Sequence, residues 1–267
     1  MTSHELNIKF LKETQKFYYD MNIIEFLINQ KVDIDTKDED GFTSLFWAIY
    51  NKKFELAEFL IRHGANINFK FSDNYSILKS ILFLGNIDGA KFLIDHGVNV
   101  RAKDSNNNTL LHDVVSEGIY VCIKLLVDYI DINAKNNKGH TVLFLAINSC
   151  PKEYVEFILK SGANIDDQTN KGYAAIHLAV ALNKPDIIKL LIEYWADVNI
   201  RDGAGDSPLH TAAQANHLEC IKLLLNNNAN INVMNNKGHT ALTTAIKYKH
   251  DNIIEYLENY YTKNHIK

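Results

Sequence analysis

Asp202, Ser207 and His210 are the residues whose types most invite a chemical reading. A serine hydroxyl activated by an imidazole, itself oriented by a carboxylate, is the machinery of acyl transfer. The same positions recur upstream as Asp104, Thr109 and His112. A triad needs one nucleophile in one pocket, whereas a polar set that recurs suits turn capping and bonds between a loop and a helix start. Metal binding meets the same objection. His63 and His96 share one recurring position, His112, His177 and His210 a second, His140 and His239 a third, and His217 and His250 a fourth. Structural units packed side by side stand roughly 8–10 Å apart. Zinc ligands sit about 2 Å from the ion, so equivalent histidines of neighbours cannot close a site. Neither a metal nor any other cofactor is expected. Cys122 and Cys220 fall where Leu56, Ile187 and Ile253 stand elsewhere, so they read as small core hydrophobes. Cys150 lies in a break between helices, where exposure is expected. No glycine-rich phosphate loop follows a strand pattern.

The elements that carry these residues repeat. Segments similar to TSLFWAIYNKKFELAEFLIRHGANIN start at Thr43, Ser76, Thr109, Thr141, Ala174, Ser207 and Thr240, spaced 33 residues apart except for one spacing of 32. Self-similarity at such a period marks a stack of small units. Each unit has the same grammar. Gly41, Asn74, Asn107, Gly139, Gly172, Gly205 and Gly238 occupy a turn position that reads as needing positive φ. Thr, Ser or Ala then opens a short helix, with Pro208 at a first helical position. A break follows at Lys52, Gly85, Gly118, Cys150, Asn183, Asn216 and Lys249. A second helix with apolar residues at helical spacing ends at Gly64, Gly97, Gly162 or Asn228, which fit a left-handed cap. In the unit that starts at Thr109 the missing residue falls between Tyr129 and Ile130, and Trp195 occupies that same cap position two units on.

Composition bounds the rest. The chain has 267 residues, 46% hydrophobic and 22% charged, with a net charge of −4. That balance excludes wholesale disorder and a nucleic-acid binder held by phosphate neutralisation. Three cysteines make no disulfide framework, which points to a reducing, intracellular setting. The opening MTSHELNIKF lacks the charge and apolar pattern of a secretory leader. No apolar run approaches the ~18 residues of a membrane span.

SPLHTAAQANH and TLLHDVVSEG, followed by GANIN and ADVN, closely resemble the ankyrin-repeat signature. The resemblance covers nearly the whole chain. It implies an all-α fold class: an ankyrin-repeat solenoid of stacked helix pairs with β-hairpin fingers, about eight units including caps. A single domain over 1–267 is expected, with a degenerate N-terminal capping repeat at 1–36, six internal repeats over 37–239 and a C-terminal capping repeat at 240–267. In residues 1–36, Ile23, Ile24, Phe26 and Leu27 keep the second-helix pattern.

The resemblance also implies a non-enzymatic function, binding a protein partner through a concave face lined by fingers and first helices. One finger position reads Lys37, Lys70, Lys103, Lys135, Gln168, Arg201, Met234, a row of cations that would steer an acidic partner. The position before the helix start reads Phe42, Tyr75, Asn108, His140, Tyr173, Asp206, His239, rich in the aromatics that make binding hot spots. Phe69, Phe71, Tyr50 and Phe83 add apolar surface to the early repeats, and Trp195 is an exposed candidate anchor. The expected binding residues are therefore Lys37, Phe42, Tyr50, Lys70, Tyr75, Phe83, Lys103, Lys135, His140, Tyr173 and Trp195, centred on the repeats at Thr43 and Ser76. The chain is expected to be a cytoplasmic monomer, with nuclear access open, that contacts neither nucleic acid nor membrane. A narrower alternative is a pathogen host-range or effector protein, acting in a host cell, that sequesters or mimics a regulator of signalling in the manner of an NF-κB inhibitor.

Overall fold

The structure, a computed structural model, describes residues 2–72 and 75–265. The turn residue Asn74 lies outside them. Helices follow one another in pairs: α1 (Ser3–Gln15) and α2 (Met21–Asn29), α3 (Ser44–Tyr50) and α4 (Phe54–Arg62), α5 (Ile77–Phe83) and α6 (Ile87–Asp95), α7 (Leu110–Ser116) and α8 (Ile123–Leu126). Then come α9 (Val142–Ser149) and α10 (Lys152–Lys160), α11 (Ala175–Ala181) and α12 (Pro185–Glu193), α13 (Pro208–Gln214) and α14 (Leu218–Asn226), α15 (Ala241–Tyr248) and α16 (Asp251–His265). Two compact units emerge: Met1–Leu110 with Val121–Ile130, and Leu111–Tyr120 with Asp131–Lys267. Among the described residues no helix is long and apolar enough to cross a membrane.

Within each unit, first helices pack on first helices. In the first unit α1 meets α3, and α3 meets α5; in the second α9 meets α11, α11 meets α13, and α13 meets α15. Second helices do the same, α10 on α12 and α12 on α14. The buried side chains are those at the repeating apolar positions, among them Leu45, Ile49, Leu56 and Leu60 in the first unit and Ile188, Leu191, Ile221 and Leu224 in the second. A single pair of such short helices has too little apolar surface to close a core, so each depends on its neighbours.

The helix starts follow hydroxyl chemistry. Thr43 accepts from the Phe46 N–H, Ser76 from Lys79 and Thr141 from Phe144. Ser207 works differently: its hydroxyl donates to Nδ1 of His210 (2.8 Å). The described turn residues predicted to need positive φ have it, from 63° at Asn107 to 86° at Gly41. The break residues are also left-handed, except Cys150, at φ −89°. Pro151 follows it, and the residue before proline is driven into extended backbone. The expectation that Cys150 is exposed is corrected here: the side chain is buried, and burial pushes its thiol up to about 12. Cys122 and Cys220 are buried too, both pushed up to about 11.

The fingers are mostly turns rather than ladders. Among the described residues the regular sheet is one antiparallel pair, β1 (Lys70–Ser72) with β2 (Tyr75–Ser76), and isolated bridges join Lys37 to Thr43 and Lys103 to Thr109. Elsewhere a backbone bond closes each tip, as from Asp202 N–H to the Asp206 carbonyl. The Asp202 carboxylate accepts from the N–H groups of Ala204 and Asp206 (both 2.9 Å). Asn136 and Asn235 do the same in their own fingers.

Candidate functional site

In the first unit, the finger before α3 and α3 itself bring rings together. Phe42 stacks on Phe46 (centroids 4.2 Å) and meets Trp47 and Phe71 edge-on at 5.7 and 4.9 Å. Tyr50, one helical turn on, stacks against Phe46 at 6.0 Å and remains 44% exposed. Offset and edge-to-face pairs at these distances attract beyond the area they bury. Lys37 places its Nζ 5.0 Å from the Phe69 ring centre. Asp38 pins the cluster: its carboxylate accepts from Trp47 Nε1 (2.6 Å), Gln15 Nε2 (3.0 Å) and the Phe42 N–H (2.9 Å).

The next finger adds a smaller group. Tyr75, 45% exposed, lies edge-on to Phe83, and the Lys79 Nζ lies 5.5 and 5.4 Å from the two ring centres. Lys70 and Lys103 are both exposed. Sequence reasoning brought Phe42, Tyr50, Tyr75 and Phe83 forward and missed Phe46, Trp47 and Lys79. The available signal was the histidine position of the repeat, which Phe46 and Lys79 occupy.

The histidines of the second unit explain what that position ordinarily does. His177 and His210 are buried. Nε2 of each meets the carbonyl of the next finger, Asp206 at 3.0 Å and His239 at 2.8 Å, so Nε2 carries the proton. Nδ1 then accepts from the N–H of Ala174 or Ser207 (both 3.2 Å). His112 likewise reaches the His140 carbonyl at 3.0 Å. Burial pushes the His177 imidazole below its usual range, and it stands neutral. The triad reading therefore fails on geometry. The second nitrogen of His210 is spent on a backbone carbonyl, not on Asp202, and Ser207 is buried out of reach of any substrate.

The row of finger cations is partly a set of stitches. Lys135 Nζ donates to the Gln168 carbonyl (3.1 Å) and pairs with Asp167 (3.0 Å). Gln168 Nε2 donates to the Arg201 carbonyl (2.7 Å), and Arg201 Nη2 to that of Met234 (2.9 Å). Lys135, Gln168 and Arg201 thus each bond the same position of the following finger.

Two cavities open between fingers and first helices of the second unit. The larger, about 480 Å³, is lined by Phe144, Tyr173, His177, Leu178, Ala181 and Ala215 with Asp202, Asp206, Thr211 and Gln214. The smaller, about 190 Å³, shares Asp206 and Gln214 and reaches Lys247 and Tyr248. Tyr173 is 40% exposed and edge-on to His177 at 6.1 Å. His140 is half-buried against Phe144 (4.7 Å), and burial, then the nearby Lys138 charge, lowers its pKa. Trp195 lies outside both linings, at the end of α12, left-handed at φ 68° and 89% exposed.

The family model described as ankyrin repeats (3 copies) matches residues 16–104, 77–169 and 176–267. Among solved structures, the ankyrin repeat domain of Bcl-3, described as a unique member of the IkappaB protein family, matches with a TM-score of 0.70. The match has 24% identity and covers 78% of this chain and 95% of that one. At that identity the likeness speaks to fold alone. No curated protein matches the chain significantly.

Proposed function

The chain belongs to the ankyrin-repeat family, and we propose that it is a non-enzymatic module that binds a protein partner through the surface formed by fingers and first helices. The observation that carries this reading is the ring cluster of Phe42, Phe46, Trp47, Tyr50 and Phe71, with Tyr50 and Tyr75 left substantially exposed. Phe46 is buried with the core, and Phe42, Trp47, Tyr50 and Phe71 gather on it toward the surface. Aromatic side chains bury much area for few rotors, and here their neighbours already hold them. Docking on such a surface loses little conformational entropy. Lys37 and Lys70 flank the cluster in sequence register and favour an acidic region of the partner.

The test is affinity capture on the immobilised full chain, with Tyr50→Ala and Tyr75→Ala as comparison baits. We expect one or a few proteins held by the native chain and lost from the variants. Each variant should weaken a purified complex by about 30-fold, the scale of a hot spot of about 2 kcal/mol, mainly through faster dissociation. Circular dichroism and the denaturant midpoint must be unchanged. Equal capture by native and variant baits would move the site elsewhere, and failure of the native chain to hold any protein counts against the reading as a whole.

A further inference from the structure

The larger cavity of the second unit has two walls of different character. One is apolar and aromatic: Phe144, Tyr173, Leu178, Ala181 and Ala215. The other carries Asp202 and Asp206. One oxygen of each carboxylate is occupied. Asp202 Oδ1 holds the turn of its own finger, and Asp206 Oδ1 accepts from Asn235 Nδ2 (2.6 Å). No lysine or arginine pairs with either among the described residues. His177, which the two carboxylates face, does not compensate them. Its ring nitrogens are committed to backbone, and burial keeps it neutral. Lys237 and Lys247 line the smaller cavity, which shares Asp206, and not the larger one.

This arrangement selects its occupant. A neutral side chain filling the cavity would strip water from two uncompensated carboxylates and return nothing. A small hydrated cation would leave the apolar wall unused. A long aliphatic stem ending in a positive charge matches both walls. A volume of about 480 Å³ lies within the range of side-chain and ligand pockets. We propose that this cavity is the specificity pocket for a lysine or arginine of the protein partner. Its stem packs on Phe144, Tyr173 and Leu178, and its charged head bonds Asp202 and Asp206. The proposal rests on the binding function above and adds what the partner must present.

Asp202→Asn with Asp206→Asn tests the charge without breaking the fingers. Asn136 and Asn235 make the same turn bonds as Asp202, and Asn108 occupies the position of Asp206 in its own finger. The probe is a displayed library of random twelve-residue peptides selected on the full chain, with Asp104→Asn as a matched control in another finger. We expect selected sequences enriched in lysine or arginine next to apolar residues. The best synthetic peptide should lose at least about 30-fold in affinity on the double variant and on replacement of its own cation by methionine, with Asp104→Asn unaffected. Tyr173→Ala should weaken it too, while the denaturant midpoint of Asp202→Asn/Asp206→Asn stays near that of the native chain. Acidic or uncharged selections, no selection at all, or basic peptides that bind the native chain and the double variant equally would each overturn the proposal. Those outcomes leave the wider binding function standing if a captured protein still depends on Tyr50 and Tyr75.

Discussion

Trp195 holds backbone that its side chain disfavours. Its φ of 68° is the left-handed conformation that Gly64, Gly97 and Gly162 supply in the equivalent position without a Cβ penalty. The indole has no compensating burial. Trp195→Gly should therefore raise stability by about 1 kcal/mol, read as a higher denaturant midpoint at unchanged slope. A lower midpoint would mean that the indole packs in solution. His177 gives a second test. Its folded pKa lies below the usual 6.5, so the unfolded chain binds the proton more readily. Its contribution is complete above about pH 6.5 and is lost as pH falls through that value toward the folded pKa. Unfolding free energy should decline between pH 6.5 and 5, and less steeply in His177→Gln. Residue types were legible in the sequence here, but their partners were not. The Lys, Gln and Arg series read as a charged strip, yet Lys135, Gln168 and Arg201 share donation to a carbonyl one repeat on. The neutral Gln168 was the clue that donor capacity, not charge, is the common property.

At the scale of elements, the sequence period located the helices because core burial and capping both repeat with it. It was silent on how neighbouring pairs are tied. The residue after the break does much of this. Asn86 Nδ2 reaches the Ile49 carbonyl (3.1 Å), Lys184 Nζ that of Ile147 (2.7 Å), His217 Nδ1 that of Val180 (2.9 Å) and His250 Nε2 that of Gln214 (3.1 Å). Unlike residues do the same job because each carries a donor long enough to cross to the preceding first helix, and no residue-type pattern reveals that. Pro151 takes this position with no donor to offer. Asn86 does double duty, since its Oδ1 also accepts from the Gly89 N–H (2.9 Å). Asn86→Ala should cost about 1–2 kcal/mol by denaturant unfolding, combining a lost cap with the lost bond to the Ile49 carbonyl. Leu191→Ala should cost more, roughly 2–5 kcal/mol, because Leu191 is fully buried between neighbouring pairs. His63→Ala should stay within about 0.5 kcal/mol, since its exposed ring bonds the Phe59 carbonyl and packs on the Phe59 ring, both within its own helix turn. Similar losses at Leu191 and His63 would mean that the assigned helix faces are wrong.

For the whole molecule, the consequence is that stability is a sum over nearest neighbours. The bonds that tie repeats run between equivalent positions of adjacent fingers and helices, as from Gln168 to Arg201 and from Arg201 to Met234. Removing one complete period keeps equivalent positions opposite each other. Deleting residues 174–206 joins Tyr173 to Ser207, a junction of the same two kinds of position that Asp206 and Ser207 form now. Gln168 then faces Met234 where it faced Arg201, and the first-helix and second-helix faces of the two flanking repeats meet in register. The shortened chain should remain soluble and helical, with the same helical signal per residue and a lower midpoint, because one interface fewer holds it. Cutting half a period instead, for example residues 174–190, should yield aggregate or a chain without a cooperative transition, since Tyr173 then joins the middle of a second helix at Leu191 and apolar faces meet turns. The half-period cut removes fewer residues yet should do more damage, so the difference between the two reports the period itself. Equal collapse of both would show that the fold is held by something other than its repeating interfaces. The in-period deletion also removes Asp202 and Asp206 while leaving Phe42, Tyr50 and Tyr75 in place. It should therefore abolish selection of basic peptides and leave dependence on Tyr50 and Tyr75 intact, which separates the two binding regions in a folded protein.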